Sequence, residues 1–403
     1  MKEVKSMTLL TTQENDVQKY KLLDHKEIVK CVKNLRFYRD EEQVSVTEVS
    51  DGTINHVYRL TGEYSEKIIF KQAVPYARNV GDAMPLPLDR ITFEAMVLQE
   101  YDRILPGSVP KVLHLDADLA VVVMEDMFPM QMGRDALING TETNRFADDI
   151  GKICAKTIFY TSDFYMDPIE KKMKVASLSN PRMRELTEEL FFDSPYNFHE
   201  SNFFEEELKS DVLALTEDNR LQLEVAKLKH KFKTKADALL HGDLHTGSIF
   251  MDEDKTVIFD TEFALYGPFG FDIAQFIANL YLNGIGSPVF LNKRHKEASE
   301  TWTVFKDTFS SLWRNESNEP YTKVDGFLPH LLDEIFVDML GYAGCELVRR
   351  SIGIAQANDL NHEQDDQKRI KRRRKALDLG KYLILERHNI RSFAELEDWL
   401  SKN

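Results

Sequence analysis

His241-Gly-Asp-Leu-His-Thr-Gly-Ser-Ile-Phe250, followed by Asp260-Thr-Glu262, sets the frame for the whole chain. Asp243 sits in a polar loop between two apolar runs, and Asp260 closes the short stretch Thr256-Val-Ile-Phe259. Phosphoryl transfer needs this layout: one acid beside the attacking hydroxyl and another on the magnesium ion that carries the triphosphate. Glu262 points to the same side as Asp260 if the backbone between them is extended, which makes it a candidate second metal ligand. The bland alternative for each acid is a loop residue that satisfies backbone donors. His241 and His245 read as packing and loop-fixing residues rather than bases. Asp272, in Phe271-Asp-Ile-Ala274, reads as a cap or buttress for the loop.

A second constellation lies upstream. Val44-Ser-Val-Thr-Glu-Val-Ser50 alternates as a strand does, Asp51-Gly-Thr-Ile-Asn55 is a turn signal, and Val57–Leu60 and Lys67–Lys71 continue as strands. A lid over phosphates needs a tight turn whose backbone can approach oxygens. Gly52 and Asn55 are the candidate nucleotide contacts of that turn. Lys71 closes a strand whose other face is Ile68 and Phe70, so it is a candidate partner for phosphates. Glu94, on a helix expected around Arg90–Tyr101, is the acid that would hold it. The alternative is a snorkelling lysine and a solvated acid. Ala120–Met124 reads as a buried strand, and Glu125 to Met127 after it suits a hinge whose backbone groups read adenine.

These elements give an α+β, two-lobe reading. Residues 1–126 form a strand-rich N-terminal lobe that opens on a polar helix expected over 13–38. Residues 127–403 form a larger, mainly helical lobe interrupted by short strands at 238–260. The length of 403 residues is enough for two such cores.

Composition narrows the partners. A formal net charge of −15 argues against nucleic acid or an anionic membrane. No run approaches a membrane span, and the apolar stretch within Met1–Leu10 is too short for a signal peptide. Cys31, Cys154 and Cys345 are widely spaced, as expected of reduced thiols in a cytoplasmic protein. The basic run Lys368–Lys375 follows Glu363, Asp365 and Asp366, and reads as a solvated helix matched to its dipole rather than a nucleic-acid patch. Phe191-Phe192 and Phe203-Phe204 read as core or dimer contacts.

Several segments together resemble the 5-methylthioribose kinase family. They are 241–250, 262–280, Phe70-Lys-Gln-Ala-Val-Pro-Tyr-Ala-Arg-Asn-Val-Gly81, Pro85-Leu-Pro-Leu-Asp-Arg90, Val123-Met-Glu-Asp126, Tyr160-Thr-Ser-Asp-Phe-Tyr165 and Leu347-Val-Arg-Arg-Ser-Ile-Gly353. The resemblance implies a protein-kinase-like, aminoglycoside-phosphotransferase-like fold. It implies transfer of the γ-phosphate of ATP to the anomeric O1 of 5-methylthioribose in methionine salvage, with Mg²⁺, by a homodimer. It makes Asp243 the catalytic acid–base residue, Asp260 and Glu262 the Mg²⁺ ligands, Lys71 the phosphate lysine, and the segment around Glu125 and Met127 the adenine hinge. It also marks Arg349 and Arg350 as the pair that engages the sugar and the transferring phosphoryl group. Guanidinium forks suit that task, although an Arg-Arg pair by itself reads as a solvated face. The chain departs from the family pattern in three places. Ser50-Asp-Gly-Thr53 stands where Gly-Asp-Gly-Asn is common. Met84 stands where tryptophan is frequent in the loop that covers the substrate. Thr261 stands where proline or alanine is common. Ser248, at a position where related kinases use asparagine for a second metal, is usual in this family. The alternatives are another small-molecule kinase of this fold, or a pseudokinase. The latter predicts loss of a metal-binding or catalytic acid, and Lys71, Asp243, Asp260 and Glu262 are all present.

Overall fold

The computed structural model describes residues 20–49, 54–78, 81–142 and 145–402. It contains two compact units: residues up to Ala95 together with Lys111–Asp126, and Met96–Pro110 together with the chain from Met127 onward.

The first unit is built on strands β1 (Val44–Glu48), β2 (Asn55–Gly62), β3 (Ile68–Ala73), β4 (Tyr76–Ala77), β5 (Gly81–Pro85), β6 (Val112–Asp116) and β7 (Val121–Glu125). Five of them form an antiparallel sheet in the order β1-β2-β3-β7-β6. Its centre is rich in the β-branched and aromatic residues that suit a pleated, buried surface. Helix His25–Asn34 covers it, with Ile28 and Val32 packed in a core with Tyr58, Leu60, Ile68, Phe70, Val121 and Val123. Burying each large side chain contributes about 1.5–3 kcal/mol. A capping box starts this helix: Glu27 N–H donates to Asp24 Oδ1 at 2.9 Å, and Asp24 N–H donates to Glu27 Oε2 at 3.1 Å. The helix expected over 13–38 is therefore shorter among the described residues, since Asp24 caps its start; residues 13–19 lie outside them. The segment containing Met84 is strand rather than loop, with a register shift in its partner at Tyr76 and Ala77. It forms β5, paired with β4, and Leu86 N–H donates to Pro75 O at 3.0 Å.

In the second unit, short ladders interrupt a helical body. Strand β8 (Gln131–Met132) pairs with β10 (Ile249–Met251), which pairs with β11 (Thr256–Ile258), and β9 (Ala238–Leu240) pairs with β12 (Leu265–Gly267). Helix Phe271–Gly284 is almost wholly buried, and helix Phe327–Ile352 is buried throughout its last turns. The latter is crossed closely by helix Asp366–Glu386. A Cβ on Gly344 would lie 2.6 Å from Gly380 O, and one on Gly380 would lie 2.8 Å from Gly344 O. Only glycine permits this approach, and it fixes the helix that carries Arg349 and Arg350.

The basic run lies on helix Asp366–Glu386, capped by Asp365. It is not simply solvated: Arg373 is buried, and it shares Glu205 with Arg369. Among the described residues no helix is long and apolar enough to cross a membrane.

Candidate active site

In the first unit Lys71 occupies the central strand β3, in register with Val57 on β2 and Val122 on β7. Its ammonium lies 2.8 Å from the Glu94 carboxylate on helix Arg90–Ile104. Both side chains are buried, so the pair is neither a snorkelling lysine nor a solvated acid. Asn55 is buried at the start of β2, and its Oδ1 accepts from Arg90 Nη2 at 2.7 Å. Gly52 lies outside the described residues. At the end of β7, Glu125 is exposed and its N–H donates to Lys111 O at 2.9 Å. Asp126 is held by a two-pronged pair with Arg59, at 2.6 and 2.9 Å. Met127, in the second unit, is buried and its carbonyl accepts from Met130 N–H at 2.8 Å.

The loop 241–248 of the second unit is held by its own residues. Asp272, at the start of helix Phe271–Gly284, accepts His241 N–H at 2.7 Å and Gly242 N–H at 3.0 Å, as the sequence suggests. Gly242 has φ +85°, and a Cβ there would lie 2.1 Å from Phe263 O, so no other residue fits. His241 is fully buried; its Nε2–H donates to Phe259 O at 2.8 Å and its Nδ1 faces Asp243 N–H at 3.3 Å. Ser248 Oγ accepts His245 N–H at 3.0 Å and lies 2.8 Å from Asp243 O. His245 Nδ1 accepts Gly247 N–H at 2.9 Å, which leaves Nε2 3.4 Å from Asp243 Oδ2. Both histidines therefore fix the loop.

Asp243 is the meeting point. Its Oδ1 accepts Arg349 Nη2 at 2.7 Å and Arg350 Nη2 at 2.9 Å. The arginines are buried, which overturns the solvated-face reading of the pair. Behind them stands Glu346, fully buried, which accepts the Nε–H of both. Burial alone would raise the Asp243 carboxyl, but Arg350, His245 and Arg349 outweigh it and hold the group well below the usual carboxylate range. Burial, reinforced by Arg350 and Arg134 and opposed by Asp243, lowers His245 to about 4, so its imidazole is neutral. Asp243 thus stays ionised, a weak base but a fixed acceptor.

Asp260 and Glu262 do not lie on extended backbone. Asp260 is left-handed, φ 70° and ψ 48°, and opens the tight turn Thr261–Phe263; aspartate tolerates that region better than most residues. The premise that put the two carboxylates on one side of an extended strand is therefore wrong, although both remain in one turn. Asn180 braces this turn: its Nδ2 donates to Glu262 O at 2.9 Å and to Ala264 O at 3.0 Å. Two carboxylates so close in sequence suit Mg²⁺, which binds through one or two protein acids and takes its other ligands from water and phosphate. Among the described residues no group of three His, Cys, Asp or Glu side chains could hold a metal ion.

Sequence reasoning missed Glu346, Asn180 and Asn279, the last donating to Glu346 Oε1 at 3.0 Å. The spacing of Glu346, Arg349 and Arg350 was the available signal, since i, i+3 and i+4 share a helix face.

The fold and sequence are those of a small-molecule phosphotransferase. A sequence profile described as "Phosphotransferase enzyme family" matches residues 45–304. The choline kinase from Cryptosporidium parvum Iowa II superposes with a TM-score of 0.51 at 13% identity, covering 93% of this chain and 99% of that one; this shows the protein-kinase-like α+β fold. The methylthioribose kinase of Geobacillus sp. (strain WCH70) is 44% identical over 379 residues, 94% of this chain and 95% of its own. That of Geobacillus kaustophilus is 43% identical over 392 residues, 97% and 98% of the two chains. The chain belongs to the phosphotransferase enzyme family and, within it, to the methylthioribose kinases.

Proposed function

We infer that this chain transfers the γ-phosphate of ATP to O1 of 5-methylthioribose, a step of methionine salvage. The observation that carries the mechanism is the convergence of Arg349 and Arg350 on one oxygen of Asp243, in a chain 44% identical to a methylthioribose kinase. Asp243 accepts the hydrogen bond of the attacking hydroxyl and aims it; in a loose transition state such positioning contributes more than full deprotonation. Its strongly lowered pKa suits an acceptor that never needs to be protonated in the resting state. Arg349 and Arg350 engage sugar and phosphoryl oxygens, where planar forks can stabilise the charge that develops.

Lys71, held by Glu94, is assigned the nucleotide phosphates, with Gly52 and Asn55 at the phosphate turn and Glu125 and Met127 at the adenine. Asp260 and Glu262 are assigned Mg²⁺, which when bound neutralises phosphate charge. In this reading residues 1–126 are the nucleotide lobe and 127–403 the catalytic and acceptor lobe. A cationic acceptor such as choline or an aminoglycoside calls for an acidic pocket, and a cluster whose carboxylates are matched by Arg134, Arg349 and Arg350 offers no net negative charge, whereas a neutral sugar needs none. A cytoplasmic homodimer without nucleic-acid or membrane partners completes the proposal. The test is Mg²⁺-dependent ADP release with methylthioribose, the product carrying its phosphate on O1; phosphate on another hydroxyl would contradict the reading.

A further inference from the structure

We propose that Glu346 is a positioning residue for the reaction centre: by holding the Nε of both arginines it directs their Nη2 groups onto one oxygen of Asp243 and leaves the other oxygen for the acceptor hydroxyl. This rests on the assignment of Asp243 and the arginine pair given above.

The geometry supports it at each link. Glu346 precedes Arg349 and Arg350 by three and four residues on helix Phe327–Ile352, so all three share one face. Its Oε2 accepts Arg349 Nε–H, and its Oε1 accepts Arg350 Nε–H at 2.8 Å. A guanidinium is planar and rigid, so fixing Nε and the direction of the side chain also fixes where Nη2 points. Both Nη2 groups end on Asp243 Oδ1, at 2.7 and 2.9 Å, with Gln275 Nε2 further out at 3.4 Å. Among the described residues Asp243 Oδ2 has only the more distant His245 Nε2, at 3.4 Å. The two oxygens therefore have different tasks: Oδ1 is the anchor and Oδ2 the reactive acceptor.

Glu346 is itself kept from turning. Asn279 Nδ2 donates to its Oε1 at 3.0 Å, and Asn279 Oδ1 lies 3.4 Å from Arg134 Nη2. A fully buried carboxylate is expensive to desolvate, and here it separates two cations that would otherwise repel each other. Neutralising it would leave one arginine without its Nε partner and free to swing off Oδ1, taking the carboxylate plane with it. Misplacing reacting groups by about 1 Å costs on the order of 100-fold in rate.

The test compares Glu346→Gln, the double variant Arg349→Ala/Arg350→Ala, and all three changes together. Each is assayed for kcat, for KM of ATP and of methylthioribose, and for thermal midpoint. Glu346→Gln is expected to lower kcat on the order of 100-fold, with KM for ATP within about twofold. Because Glu346 acts through the arginines, adding Glu346→Gln to the double variant is expected to change kcat no further, the signature of residues acting as one unit. Unchanged kcat in Glu346→Gln, with the arginine double variant impaired, would overturn the proposal and leave the reaction centre standing. An additional large loss in the triple variant would also overturn it, since a general structural role adds to any other defect. An arginine double variant as active as the wild type would instead refute the reaction centre itself. Should Glu346→Gln not fold, Asn279→Ser, which keeps every charge and drops one donor to Glu346, serves in its place. A reduced kcat that vanishes in the arginine-less background supports the proposal; an unchanged kcat overturns it.

Discussion

Replacing Asp243 by asparagine removes one charge and one acceptor from a closed cluster. Three carboxylates, Asp243, Glu346 and Asp359, face three guanidiniums, Arg134, Arg349 and Arg350. The variant leaves the guanidiniums in excess by one. If the amide oxygen takes the place of Oδ1 it still receives both Nη2 groups, and the amide NH₂ then stands where Oδ2 was. There it offers a donor to the acceptor hydroxyl and faces His245 Nε2, itself the protonated nitrogen because Nδ1 accepts Gly247 N–H. Loss of the acceptor oxygen is expected to lower kcat by about 10²–10⁴-fold, which corresponds to about 2.7–5.4 kcal/mol of transition-state stabilisation. The uncompensated charge adds a folding cost at or below the lower end of the ~3–5 kcal/mol typical of a broken buried pair, because the Asp243 side chain is 22% exposed. The assay is coupled ADP release at saturating ATP and methylthioribose, with nucleotide affinity measured separately by fluorescence or calorimetry. Unchanged nucleotide affinity with a collapsed kcat is the expected pair of results. A kcat within about threefold of wild type would refute the role given to Asp243, since that role requires at least about 10²-fold.

Two further outcomes concern the loop that carries Asp243. Gly242→Ala is expected to destabilise the protein by about 2–5 kcal/mol, from left-handed strain of about 1–2 kcal/mol and forced overlap of about 1–3 kcal/mol. Gly326→Ala is the control, because Gly326 has φ +87° but nothing within 4 Å of the added Cβ; equal denaturation midpoints for the two variants would contradict the steric argument. The second concerns pH. His245 titrates near 6.5 when unfolded and near 4 when folded, so the unfolded chain takes up the proton first as pH falls. Stability should therefore be full above pH 6.5 and decline toward pH 4, with this residue contributing at most about 3 kcal/mol of that change. Asp243, whose folded pKa is lowered, acts in a different window: its contribution is present above the ordinary carboxylate range and is lost only at lower pH. In His245→Asn the decline between pH 6.5 and 4 should flatten in urea titrations, and an unaltered slope would show that His245 is not its source.

What the sequence revealed, and what it hid, follows from which interactions are local. Val44–Glu48, Ile68–Ala73 and Val121–Glu125 announce themselves by strand composition, and Asp272 by its position at the start of a helix. Lys71 and Glu94 could be paired because the motif at 241–262 calls for a phosphate lysine held by a helix acid. Strand β6 was not read, because Val112–Asp116 is only half buried and lacks a clean alternation. Strand β5 was not read either, because a ladder as short as β4–β5 depends on its partner and not on propensity. The arginine pair was the hardest case. A Glu-x-x-Arg-Arg spacing is also what an exposed, salt-bridged helix face looks like, and only Asp243, more than a hundred residues earlier, gives it another meaning. Asp260 shows the opposite error. Its left-handed backbone opens a turn held from outside, by Asn180 on Glu262 O and by the close approach of Gly242 to Phe263 O, contacts that no alternation in Asp260-Thr-Glu262 can report.

The role proposed for the acid–arginine centre is phosphoryl transfer to methylthioribose. The most direct measurement is Mg²⁺-dependent ADP release with methylthioribose, ribose, choline and kanamycin side by side. Strong turnover with methylthioribose and little with the two cationic compounds is the expected result. Turnover with choline or kanamycin that equals or exceeds that with methylthioribose would contradict it.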